Sequence, residues 1–230
     1  MIKIYVISID SLNDKTVIEW FDLIAYEQQE RLKRFRFRED YLRSLAGEAM
    51  LRIIVGEKVG VMPKKLNIIR PRGEKPFFAD YSGIYFNISH SGKWVICAIN
   101  DDEIGIDIEE IKDKEVNPSL IRKVLSAMEQ EYVEKLDDEQ KAKAFYRFWT
   151  MKEAYIKYTG QGLRLELDKI EIDVERNLVR LVDSESECSC ITKQIDFFDD
   201  KYILSICANK DETPLVSRFR AEAWNGECLS

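Results

Sequence analysis

Histidine is almost missing from this chain: His90 stands alone in 230 residues. The five cysteines, Cys97, Cys188, Cys190, Cys207 and Cys228, form no C-x-x-C pair. The two shortages together exclude a zinc site of the usual ligand spacing. An odd cysteine count also speaks against a disulfide framework and for a reducing compartment, with Cys97 and Cys207 expected in apolar core strands. No apolar run approaches the roughly 20 residues that cross a bilayer, so no membrane partner is expected. The opening MIKIYVISID reads as a strand rather than a cationic leader, and a cytoplasmic protein is expected. Positive charge is not in excess either: 35 Lys and Arg face 42 Asp and Glu, a formal net charge of -7. No nucleic-acid partner is expected from such a balance. There is no G-x-S-x-G run for a serine hydrolase, and no segment repeats at a fixed period.

What is present is the composition of an ordinary globular protein, 45% hydrophobic and 33% charged. A chain of this length forms one large domain or two small ones and can bury about 70–75% of its unfolded surface. A β-branched strand opens it, and Asn13 or Asp14 can cap a helix over roughly 15–27. Helical spacing of apolar residues continues over roughly 27–59. Prolines and glycines then break the pattern, before strands near 84–88, 94–100 and 103–109. Helices are expected at roughly 119–136 and 139–159, the second stopped by Gly160 and Gly162, with four strands over roughly 168–208. The order predicts an α+β protein of two halves, residues 1–103 and 104–230. Each would be a small, mostly antiparallel sheet packed with helices. No flexible linker marks the join, so the halves are expected to pack as one body.

Two short runs carry chemistry. In Gly105-Ile106-Asp107-Ile108-Glu109 the two carboxylates lie two apart on a strand and therefore share a face, with Ile104, Ile106 and Ile108 on the other. Like charges so placed cost stability unless a cation lies between them, and oxygen-only ligands suit Mg²⁺. A half-exposed strand with an acidic outer face explains the pair taken alone equally well. In Trp149-Thr150-Met151-Lys152-Glu153-Ala154-Tyr155-Ile156-Lys157, Glu153 and Lys157 share a helical face. A surface ion pair is the plain explanation, but the aromatic surface of Phe145, Phe148, Trp149, Tyr155 and Tyr158 leaves little of that helix for solvent.

Two further segments could hold an anion. Arg31-Leu32-Lys33-Arg34-Phe35-Arg36-Phe37-Arg38 places cations without an acid among them, either a solvated helix face or a phosphate cradle. Phe86-Asn87-Ile88-Ser89-His90-Ser91-Gly92 ends a strand in a polar, glycine-terminated turn, a setting that presents small donors to anions.

Taken together, FNISHSGKW, GIDIEEIK and FWTMKEAYIKYTGQGL closely resemble the Sfp-type 4′-phosphopantetheinyl transferases in order and spacing. The Arg43…Gly47…Arg52 helix and the Gly73-Glu74-Lys75-Pro76 turn are similar to that family as well. The resemblance spans roughly residues 1–208. It implies a monomeric pseudo-dimer of two similar α/β halves with the active site in the cleft between them. It also implies transfer of 4′-phosphopantetheine from coenzyme A, the co-substrate, to a serine of an apo acyl, peptidyl or aryl carrier protein, with release of 3′,5′-ADP.

By the same resemblance, Asp107, Glu109 and Glu153 would hold Mg²⁺, Mn²⁺ being the other candidate, and Asp107 would lie beside the coenzyme A pyrophosphate. Lys157 would contact the phosphate and aid the leaving group. Arg31, Ser44, Lys75, Ser89 and His90 would bind the nucleotide. Gln28 stands where relatives often have a basic residue, and Arg31 where they often have lysine, so one contact is expected to be weakened or rerouted, with Lys33 or Arg34 as candidates. Glu153 is the first candidate for general base, a cation-activated water the second. The carrier would dock on residues 111–136 through Ile111, Val116, Leu120, Ile121, Val124, Leu125 and Met128, with Lys112, Lys114, Arg122 and Lys123 meeting its acids. A Mg²⁺-dependent nuclease and a non-catalytic carrier-binding module are the rival readings.

Overall fold

Residues 1–112, 116–182 and 187–221 are described by a computed structural model. Lys114 and Cys228 lie outside the described residues. The chain opens with β1 (Lys3–Ser8) and α1 (Asp14–Leu23). Asn13 caps α1, its Oδ1 accepting from the Thr16 N–H at 2.8 Å. The helical pattern expected over 27–59 is two helices, α2 (Tyr26–Leu32) and α3 (Arg38–Val59), with the chain extended at Phe37. The break falls in the arginine-rich run, where a continuous helix would stack like charges at three- and four-residue spacings. A short ribbon, β2 (Ile68–Ile69) and β3 (Phe77–Phe78), follows, then β4 (Tyr85–Ser91), β5 (Trp94–Asn100) and β6 (Ile104–Glu110).

The second part begins with α4 (Pro118–Val124) and α5 (Ala127–Glu134) where one helix was expected. Ser126 separates them by starting a capping box: its Oγ accepts from the Glu129 N–H, and the Glu129 carboxylate accepts from the Ser126 N–H at 2.9 Å. Then come α6 (Asp138–Thr159), β7 (Ile170–Asp173), β8 (Leu178–Leu181), β9 (Glu187–Ile195), β10 (Tyr202–Ala208) and β11 (Leu215–Arg218). Gly160, at φ 69°, ends α6 in the left-handed conformation that glycine adopts at least cost.

One sheet runs β11-β1-β5-β4 and the other β6-β10-β9-β8-β7. All their pairs are antiparallel except β1 with β11, which is parallel. The architecture is therefore α+β, as expected. The tail strand, left unread in the sequence, joins the edge of the first sheet. Strand β5 is buried on both faces, which is why it reads as an unbroken apolar run. Val95, Cys97 and Ile99 pack toward α3. Trp94, Ile96 and Ala98 share a second cluster with Ile104, Ile106 and Ile108 of β6 and with Leu204 and Ile206 of β10. The two sheets thus meet in one apolar layer rather than across a solvated gap. Cys97 and Cys207 are fully buried, as expected.

Candidate functional site

The two sheets present β4 and β6 to each other as edge strands. A strand edge carries unpaired N–H groups, and here side chains satisfy them. Asn87 Oδ1 accepts from the Ile106 N–H (3.1 Å), Ser89 Oγ from Ile108 (3.3 Å) and Ser91 Oγ from Glu110 (3.0 Å). Two of these side chains also hold the acids. Ser89 donates to Asp107 Oδ1 at 2.9 Å, and Ser91 donates to Glu109 Oε2 at 2.9 Å.

Helix α6 covers the acidic face of β6. Gly105 permits its approach: a Cβ there would lie 1.9 Å from the Ala154 carbonyl oxygen and 2.5 Å from the Tyr158 nitrogen. Lys157 consequently reaches β6, donating to Asp107 Oδ1 at 2.6 Å and to Ser89 Oγ at 3.0 Å. The surface pair between Glu153 and Lys157 that helical spacing allows is not formed, and no hydrogen bond reaches the Glu153 carboxylate among the described residues. Burial, and then the negative charge of Asp107, raise the Glu153 pKa above its ordinary value. The same two causes push Glu109 up to about 7.

These observations bear on a divalent cation. Among the described residues, no three acidic, histidine or cysteine side chains enclose an ion by themselves. Asp107 is only 4% exposed, yet its Oδ2 has no hydrogen-bond partner. A buried carboxylate oxygen without a donor is costly and calls for a cation. Glu109 and Glu153 both feel the charge of Asp107, so the three form one electrostatic cluster of oxygen donors. The residues fit a hard cation in an open site whose remaining ligands come from water and substrate.

Beside this cluster lies a cavity of about 270 Å³ between α2, α3 and β4. It gathers Arg31, Ser44 and His90, three of the residues expected to bind a nucleotide, with Arg43 and Arg70. The cavity is thus cationic in an acidic protein, Glu48 being the acid in its lining. Crowding by the cavity wall and the Arg43 cation push the His90 imidazole below its usual pKa, although the residue is exposed at the cavity mouth. Gln28 also lines it, but Lys33 does not; Lys33 pairs with Glu30 at 2.6 Å. Neither Lys33 nor Arg34, the expected alternatives, lines the cavity, whereas Arg70, held by the Glu48 carboxylate, does. Pro76 and Asn87 line this cavity and also a larger one, about 990 Å³, that contains Glu153 and Lys157. Lys75 forms part of the larger wall, but its ammonium is directed away, onto Glu103 and the carbonyl oxygens of Ile104 and Tyr158. A phosphate would compete with three acceptors for it.

Comparison with known proteins agrees with this geometry. Residues 103–207 match the 4′-phosphopantetheinyl transferase superfamily, and residues 13–102 match the family described as 4′-phosphopantetheinyl transferase, N-terminal. The 4′-phosphopantetheinyl transferase Sfp of Bacillus subtilis (strain 168) is 32% identical over 216 residues, covering 92% of this chain and 94% of its own. The chain belongs to the 4′-phosphopantetheinyl transferase family. The 4′-phosphopantetheinyl transferase HetI of Nostoc sp. is 39% identical over 153 residues, covering 65% of this chain and 64% of its own. A solved holo-(acyl-carrier-protein) synthase from Bacillus anthracis in complex with CoA (3′,5′-ADP) shows a slighter likeness, with a TM-score of 0.37 and 20% identity over 46% of this chain and 92% of its own.

The transferase also uses residues that the sequence did not single out. Lys152, beside Glu153, is wholly buried. Its ammonium donates to the carbonyl oxygens of Val124 (2.7 Å) and Leu167 (3.0 Å) and pairs with Glu129 at 2.5 Å. Burial pushes Lys152 down and Glu129 up, and their mutual attraction opposes both shifts. Glu129 in turn accepts from the Ile172 N–H, so this pair ties α4, α5, α6 and β7 together. A capping box, Ser-x-x-Glu at Ser126, was the overlooked signal for Glu129, and alternation of small polar residues along β4 was the signal for Asn87 and Ser91. In the expected docking segment, Val124 and Leu125 are core residues, whereas Met128 is 69% exposed. Arg122 and Lys123 line the cavity that holds Glu153 and Lys157.

Proposed function

We propose that this transferase moves 4′-phosphopantetheine from coenzyme A to a serine of an apo carrier protein, releasing 3′,5′-ADP, with Mg²⁺ or Mn²⁺ held by Asp107, Glu109 and Glu153. The observation that carries the reading is the adjacency of two cavities. The cationic cavity fit for a nucleotide and the larger one lined by Glu153 and Lys157 share Pro76 and Asn87 in their walls. In this reading residues 1–103 supply the nucleotide pocket, through Arg31, Ser44, His90 and Arg70. Residues 104–230 supply the acids and the docking surface.

When bound, the divalent cation supplies charge neutralisation at the pyrophosphate oxygens. The protein's residues do the rest. Lys157, held by Asp107 and Ser89, offers its ammonium to a phosphate oxygen beside them. Glu153 faces the same cavity and, among the described residues, has no hydrogen bond to satisfy, which leaves a carboxylate oxygen to take the proton from the carrier serine. The serine oxygen then forms its bond to the β-phosphorus as the bond to the 3′,5′-ADP oxygen breaks. Arg122 and Lys123 at the cavity wall and exposed Met128 give an acidic carrier helix a place to dock.

Mass spectrometry of a panel of apo carriers incubated with the protein, coenzyme A and Mg²⁺ tests the reaction. A gain of about 340 Da is expected, the increment left when the pyrophosphate is split. No gain on any carrier, or gain without coenzyme A, would sink it.

A further inference from the structure

Asp107 and Glu109 are held in different ways. Asp107 Oδ1 accepts from both Lys157 and Ser89, and its backbone is pinned between buried isoleucines. Glu109 has a longer side chain near the end of β6 and, among the described residues, a single hydrogen-bond partner: the hydroxyl of Ser91. That hydroxyl is itself fixed. Its oxygen accepts from the Glu110 N–H at 3.0 Å, so its one proton is left for Glu109 Oε2, at 2.9 Å. Gly92 follows at φ 51° and turns the chain, so that Ser91 ends β4 opposite the end of β6.

We propose that Ser91 is a positioning residue that orients the Glu109 carboxylate for the divalent cation; this rests on the metal reading above. The physical ground is rotamer freedom. Without Ser91 the carboxylate would lose its one tether and would have to be ordered at the moment of binding. Ser91 lines neither the cationic cavity nor the larger one. It acts through Glu109, and it holds Glu109 in register because the same hydroxyl oxygen is pinned to the backbone of the acid strand.

The test compares wild type, Ser91→Ala and Ser91→Thr in the presence of saturating coenzyme A, without carrier, using Mn²⁺ binding followed by electron paramagnetic resonance. Ser91→Ala should raise the half-saturating Mn²⁺ concentration about tenfold, the lower end of what lost second partners of metal ligands produce. Ser91→Thr, which keeps the hydroxyl, should restore it. The KM for coenzyme A at saturating Mg²⁺ should stay at its wild-type value in both variants, whereas a merely structural role would move it; the melting temperature in chelator should fall only in Ser91→Ala, which also leaves the Glu110 N–H without its acceptor. In a Glu109→Gln background, Ser91→Ala should add no further loss, a result that reads the coupling even if the single variant is less stable. Unchanged half-saturation in Ser91→Ala, or an equal further loss in the Glu109→Gln background, overturns the role of Ser91 alone. Failure of the wild-type protein to bind Mn²⁺ sinks the metal reading and this role with it.

Discussion

Asp107, Glu109 and Glu153 differ in how they are held, and that difference makes predictions at the scale of single residues. Glu153 has no hydrogen bond among the described residues, so Glu153→Gln removes charge without breaking a contact. Transfer should fall by roughly 10²–10⁴-fold, the usual worth of general-base catalysis, with circular dichroism unchanged. Near-normal turnover would remove Glu153 from the mechanism. Glu109 links the site to pH. Its folded pKa is raised from 4.5 to about 7, so between those values the folded chain keeps a proton that the unfolded chain releases. The metal-free protein should therefore lose stability as pH rises from about 4.5 to about 7 and level off above. Thermal melts in chelator check this, and the slope should shrink in Glu109→Gln. Lys152 is the opposite case, a buried cation with every proton engaged. Lys152→Ala strands Glu129 and should cost about 3–5 kcal/mol in denaturant melts. A loss below about 1 kcal/mol would mean that the pair is not held as described.

At the scale of elements, the site depends on how closely α6 lies on β6. Gly105 sets that distance, since a methyl group there would collide with the backbone of α6 at Ala154 and Tyr158. The obstacle is backbone, which cannot rotate aside as a side chain can. Gly105→Ala should displace the helix, cost about 1–3 kcal/mol or more, and lower kcat by moving Lys157 off Asp107. Wild-type turnover in that variant would contradict the close approach. Element types were largely legible beforehand. Strands at 85–91, 94–100 and 104–110 and the long helix ending at Gly160 follow from β-branched runs, turn residues and helical spacing. Interruptions were less legible. The stops near Phe37 and Ser126 come from like-charge stacking and from a capping box, and apolar spacing continues straight through both.

For the whole molecule, the cluster of Trp94, Ile96, Ile104, Ile106, Leu204 and Ile206 belongs to both sheets. Neither sheet can unfold without exposing the other's apolar face. A single cooperative transition is expected, with calorimetric and van't Hoff enthalpies equal. Two separated transitions, or a folded fragment of residues 1–103, would contradict it. The parallel strand β11 adds to the same coupling, because the far end of the chain closes the sheet that the first strand opens. No helix among the described residues is long and apolar enough to cross a membrane.

Residue order was enough to put Asp107 beside Glu109 on one strand face and Glu153 above Lys157 on one helix face, because periods of two and 3.6 are local properties of the backbone. It was enough to expect two small sheets and to pick out the polar strand end at Ser89 and His90. Which partners those side chains take was settled in three dimensions. Lys157 passes over Glu153 for Asp107, Lys75 turns to Glu103, Arg70 enters the cationic cavity, and Asn87, Ser89 and Ser91 replace a backbone ladder between two sheets. The reason is range. A spacing rule sees neighbours along one element, whereas an ammonium or a hydroxyl in a buried seam goes to whatever acceptor the packing of distant segments brings within about 3 Å.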